Sequence, residues 1–216
     1  MALAGLAVFA PRLLPVGSLR AAPGLPAVVA LRGLVAANFF TAEVFLPLLL
    51  TTERGLSPVQ AGLVLTVGAL GWSAGSWYQG REGRARDDVA CVRRLRTGLA
   101  MLAGGTLVMT LALLPALPIA VAVAGWLVAG TGIGLVFPTL SVLALRFAPP
   151  GQQGRASSAL QLSDSLFSAV GLALASALLV AVQPHSPRAA YAAGLALAAA
   201  LSLAGVLVAS RARRAA

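Results

Sequence analysis

Residues 36–50 read AANFFTAEVFLPLLL. They lie inside an apolar stretch that begins near Leu25, with Glu43 in the middle. A helix needs about 20 such residues to cross a bilayer. The stretch is long enough to span, so its carboxylate needs either a partner or water.

The rest of the chain repeats the pattern. Of 216 residues, 59% are hydrophobic and 10% charged, against about 25% charged in soluble domains. Mean hydropathy is +0.90. The composition is that of an all-α integral membrane protein. The net charge is +10, and all 16 basic residues are arginines, since the chain has no lysine. They sit in the short connections between apolar runs rather than on one surface, which excludes a nucleic-acid partner and makes the lipid bilayer the expected one. The single cysteine, Cys91, allows no disulfide within the chain and makes no metal site. It is expected in a solvent-facing basic loop. The chain carries no His or Cys cluster, no nucleophile beside a base and no phosphate-binding loop. No enzyme activity, cofactor or metal is expected.

Residues 2–10 are apolar but too short to span, and the first arginine, Arg12, follows them. A signal peptide would have positive charge first. The segment reads as the tail of a spanning helix, and 11–25, rich in Pro, Gly and Arg, as a connection. Six spans are expected at 26–50, 57–79, 97–114, 119–145, 158–182 and 191–210, with a basic tail at 211–216. Ser57-Pro58 starts the second, and the PALP sequence at 115–118 turns the chain between the third and fourth. With the 11–25 connection inside, thirteen arginines fall on inner connections and two, Arg54 and Arg188, on outer ones, while Arg32 lies at the inner end of the first span. Both termini are therefore expected in the cytoplasm.

Two carboxylates lie well within spans, Glu43 and Asp164. Gln161, Asp164, Ser165 and Ser168 recur at i, i+3, i+4 and i+7, one face of a helix, extended by Ser157 and Ser158. Lipid cannot satisfy such a stripe, so it faces protein or water. In the first span Asn38, Thr41 and Phe45 share a face, while Glu43 lies about 140° round from Asn38. One of these lines a cavity and the other a helix contact. Two readings of the acids are open. They hold helices together by a hydrogen bond or ion pair, for which Arg32 is a partner if the fold allows it. Or they bind a proton or substrate, since burial disfavours the charged form of a carboxyl and lets it exchange protons near neutral pH. Gly68, Gly71 and Gly75 on the second span, and Gly130 and Gly134 on the fourth, suit close helix packing. Trp72 and Trp126 are cavity rings or interface anchors, Trp77 an anchor, and His185 a surface residue of an outer turn.

The stretch GSWYQGREGR at 75–84 resembles a degenerate loop motif of the major facilitator superfamily. That motif has a glycine, an acid four residues on, then basic residues round a second glycine. Gly75 matches the first position, Gln79 stands where the acid would be, and Arg81, Gly83 and Arg84 follow with the glycine out of register. The stretches RGLSPVQAGLVLTVGALGWSAGS (54–76) and GTGIGLVFP (130–138) also resemble family segments. The ordered set is similar to the C-terminal six-helix half of such a transporter, built of two three-helix inverted repeats. The resemblance implies alternating access, often proton-driven export of a drug or metabolite, round a site between two halves. The first, second, fourth and fifth spans would line it, placing Asn38, Thr41, Glu43, Trp72, Gln161, Asp164 and Ser165 nearby. The other half would be a missing N-terminal half, a separate chain or a second copy. The alternative is a six-span scaffold, an assembly partner or a non-transporting remnant.

Overall fold

Proline, glycine and small hydroxyl residues set the helix ends. Ser57 and Gln60 form a reciprocal capping box: Gln60 N–H donates to Ser57 Oγ at 3.3 Å and Ser57 N–H to Gln60 Oε1 at 2.9 Å. Ser186 accepts from Ala189 N–H at 3.2 Å, with Pro187 opening the helix behind it. Gly55, at φ 66°, closes the first helix in the left-handed region that glycine enters without strain.

The computed structural model describes residues 14–82 and 88–213. Among these, six long helices follow in order: α1 Leu25–Arg54, α2 Pro58–Glu82, α3 Asp88–Met109, α4 Ile119–Phe147, α5 Gln153–Val182 and α6 Pro187–Val208. Single 3-10 turns lie at Ser18–Arg20, Thr110–Leu113 and Ala209–Arg211. No strand occurs among the described residues. Five helices are both long and apolar enough to cross a membrane; α2 has the length, but its polar residues lower its hydropathy. The apolar segment at 2–10, together with Arg12, Gly83, Arg84, Arg86 and Arg214, lies outside the described residues.

The helices run past the expected apolar spans. Thr51 to Arg54 continue α1, and Gly154 and Arg155 belong to α5. The largest difference is α3, expected at 97–114. It starts at Asp88 and gives way to the 3-10 turn after Met109. Arg93, Arg94 and Arg96 therefore stand on a helix, not in a connection. Cys91 is buried in that helix rather than set in a solvent-facing loop. The reason is periodicity: Cys91, Val92, Leu95, Leu99 and Leu102 repeat at helical spacing and are all buried. Arginine is a good helix former and occupies the other faces.

The packing follows two three-helix repeats, α1–α3 and α4–α6. Each first helix packs mainly against the second and third helices of the other repeat: α4 on α2 and α3, and α1 on α5 and α6. α1 and α4 also meet, and α3 meets α6. The buried centre holds Leu31, Val35 and Phe39 of α1, Leu99 and Leu102 of α3, and Trp126, Ile133 and Leu140 of α4.

Glycines set the α2–α4 spacing. A Cβ on Gly71 would come within 2.5 Å of the Leu127 carbonyl oxygen, and one on Gly75 would strike the Thr131 carbonyl. These obstacles are backbone, so the helix itself would have to move. Gly68, Gly130 and Gly134 are packed as tightly. Trp126 is neither cavity ring nor interface anchor: it is 1% exposed, and its ring stacks on Phe39 at 4.8 Å. Trp77 is exposed, with Arg81 over its ring at 4.3 Å.

The end of the bundle where α1 finishes is tied. Where α1 ends, Arg54 donates to the carbonyls of Ala112, Leu114 and Leu117 at 2.8–3.0 Å, holding the α3–α4 turn. Beside it Glu53 pairs with Arg188 at 3.3 Å, and the hydroxyls of Thr52 and Tyr191 meet at 2.9 Å, with the Thr52 proton directed to the Leu48 carbonyl at 2.8 Å.

Gly71→Ala should destabilise the protein in detergent by about 1–3 kcal/mol, the range for overpacking. Gly62→Ala, on the same helix with open space beside it, should be neutral or slightly stabilising. Thermal unfolding midpoints check this, and equal midpoints for the two variants would rule out the close crossing.

Candidate functional site

Arg32 lies seven residues into α1, about 10 Å along its axis. Asp164 lies eleven residues into α5, about 16 Å along. The fold brings them together. Arg32 Nε donates to Asp164 Oδ1 at 2.8 Å and to Oδ2 at 3.0 Å. Arg32 Nη1 donates to the Phe137 carbonyl at 3.1 Å and to Ser141 Oγ at 3.2 Å on α4. The guanidinium carbon sits 3.5 Å from the centre of the Phe137 ring. The side chains of the pair are 11% and 15% exposed. A charge this far from water is held only when its partners are complete. Here a carboxylate, a carbonyl, a hydroxyl and an aromatic face supply them. The arrangement ties α1, α4 and α5 at one point.

From this point aromatic rings continue into the bundle. Phe137 meets Trp72 of α2 edge-on at 5.4 Å, Trp72 meets Phe39 edge-on at 5.1 Å, and Phe39 stacks on Trp126. Trp72 is half-buried. Neither Phe137 nor Ser141 was singled out by the sequence. More than 100 residues separate each from Arg32, and no local pattern links them.

Glu43 has a different setting. It is half-buried and makes no hydrogen bond or ion pair among the described residues. It shares the open face of α1 with Phe40, Val44, Pro47 and Leu48, all partly or fully exposed. Pro47, four residues on, has no N–H to give the Glu43 carbonyl. The equivalent gap on α4 lies before Pro138, where the Gly134 carbonyl loses its helical donor. There Ser76 Oγ of α2 donates in its place at 3.3 Å.

Asn38 and Thr41 lie inside the helix packing, at 0% and 1% exposure. Asn38 Oδ1 meets Thr106 Oγ1 of α3 at 2.9 Å, and that hydroxyl also lies 2.8 Å from the Leu102 carbonyl. One hydroxyl proton cannot serve both acceptors. With the amide turned over, Asn38 Nδ2 donates to Thr106, whose proton goes to Leu102, and the otherwise unpartnered Nδ2 is satisfied. Of the α5 stripe, Gln161 and Ser165 are exposed and Asp164 and Ser168 partly so. In the loop-motif region Gly75 packs on α4, Gln79 is buried and Arg81 is exposed.

Asp164→Asn and Arg32→Gln should each lower stability in detergent by about 3 kcal/mol, because each leaves a charge without its counterpart. The double variant should recover part of the loss. Thermal midpoints over this cycle check it, and strictly additive losses would show that the two side chains act independently.

The family model described as Major Facilitator Superfamily matches residues 4–172, most of the chain. No curated protein matches it. The six helices, their exchanged three-helix packing and this match lead to one assignment: the chain belongs to the major facilitator superfamily and is a multi-pass membrane protein of a transporter family.

Proposed function

We propose that this chain is one six-helix half of a proton-coupled secondary transporter that exports a small molecule by alternating access. The open face of α1, α2, α4 and α5 meets a second six-helix unit, and substrate passes between the two. That unit is an N-terminal half, a separate partner chain or a second copy of this one. The arginine distribution supports a cell-membrane protein with cytoplasmic termini.

Glu43 carries the reading. An acid in a spanning helix is a functional group by default when nothing neutralises it. Asp164 has Arg32; Glu43 has no such partner among the described residues. It stands on the open face one helical turn from the exposed edge of Phe40, where it can take a proton from water. Glu43 is thus the proton site, and the Arg32–Asp164 pair joins the helices that move. Trp72, Gln161 and Ser165 line the path between halves. The ion pair also favours a second reading, a six-span assembly partner in which Asp164 is structural.

Pyranine-loaded proteoliposomes containing the purified chain with its partner half test the coupling. A panel of small organic cations and anions serves as the probe. We expect at least one compound to drive proton flux in the wild type. Glu43→Gln should reduce that flux to background with the protein still folded. Normal coupled flux in Glu43→Gln would overturn Glu43 as the proton site, and normal flux in both Glu43→Gln and Asp164→Asn would sink the coupling claim.

A further inference from the structure

At the end of the bundle where α1 begins, the preceding chain folds back onto the end of α6. Gly24 N–H donates to the Arg211 carbonyl at 3.0 Å. Arg211 Nη1 donates to the carbonyls of Arg20 and Ala21 at 3.0 and 3.4 Å. Between these segments, α1 and α5 lies a cavity of about 270 Å³. Its polar lining comes from Ser18, Arg20 and Arg211, and its apolar lining includes Leu34, Phe167 and Leu207. Among the described residues no acidic one lines it.

Three features define what fits there. Ser18 is 3% exposed, and its Oγ has no hydrogen-bond partner among the described residues. Such a buried hydroxyl is unfavourable unless something bonds to it. Arg20 and Arg211 are both exposed, and the Arg20 guanidinium makes no hydrogen bond among the described residues. Leu19 and Leu207, at 58% and 78% exposure, put apolar surface beside the two guanidiniums. A water-soluble anion would use the arginines and the hydroxyl but gain nothing from the leucines. A phosphate attached to hydrocarbon uses all of them.

We propose that this cavity seats the headgroup phosphate of an anionic phospholipid. Arg20 and Arg211 face the phosphate, Ser18 donates to it, and the acyl chains lie along Leu19 and Leu207. Basic pockets between helices at the membrane surface suit such headgroups. The bound lipid bridges the chain before α1 and the end of α6, so it steadies the start of the helix that carries Arg32 and Glu43. The inference rests on the multi-pass placement. Only the choice of leaflet, the cytoplasmic one, rests on the proposed orientation.

Native mass spectrometry of the purified full chain, equilibrated with equal amounts of phosphatidylglycerol and phosphatidylcholine, tests it. We expect phosphatidylglycerol to be retained in preference. Arg20→Gln should weaken that retention about fivefold, the effect of one arginine at an anionic surface. Arg93→Gln removes an exposed charge from α3, outside the cavity, and should leave retention unchanged. Thermal midpoints confirm that both variants fold. Undiminished retention in Arg20→Gln overturns the proposal. So does equal weakening in both variants, which would mean diffuse charge attraction. Displacement of the lipid by inorganic phosphate at matching concentration would make the site one for a soluble anion and also overturn it. The readout needs neither transport nor a particular orientation, so its failure leaves the transporter reading standing, and loss of coupled flux leaves the lipid site standing.

Discussion

Hydrocarbon neither gives nor accepts a hydrogen bond, and the whole molecule is arranged around that fact. Every backbone polar group in a span has to be satisfied within the protein, which leaves helices as the building unit of an α-helical membrane chain. Between helices in lipid there is no hydrophobic drive of the kind that folds soluble domains, so close contact has to come from shape. Gly71 and Gly75 let α2 reach the carbonyls of α4. The same demand explains smaller details. Pro138 leaves the Gly134 carbonyl without its helical donor, and Ser76 on the neighbouring helix replaces it. Arg54 satisfies three carbonyls at the turn after α3.

The two intramembrane carboxylates are treated differently by this framework. Asp164 is bound to a guanidinium that a carbonyl, a hydroxyl and an aromatic ring also hold. Such a pair joins three helices at one point. Glu43 stands on the open face beside Pro47 without a charged partner among the described residues. The division gives each acid its own place in the proposed cycle, one joining moving parts and one exchanging a proton. The rings from Phe137 through Trp72 to Trp126 place the joint in contact with the packed centre.

The long apolar runs, the Pro and Gly breaks and the arginine-rich connections were enough to read membrane class, helix number and family from the chain, because each depends on local composition. Helix ends were less legible. Hydropathy marks where lipid begins, but a helix continues past that point wherever one face stays apolar, as Cys91, Leu95 and Leu99 show. The glycines were legible as packing residues because their spacing is local too. Which acid has a partner was not legible. Arg32 and Asp164 stand 132 residues apart, and the sequence left Arg32 equally available to Glu43. Asn38 and Thr41 shared a helical face in the sequence, yet periodicity says only which residues look the same way, not what they look at. The three-dimensional packing of α1 against α3, α4 and α5 decided that. It turned Asn38 inward to Thr106, Arg32 onto Asp164 and Glu43 to the open side, because a side chain's charge environment is set by neighbours that are distant in the chain.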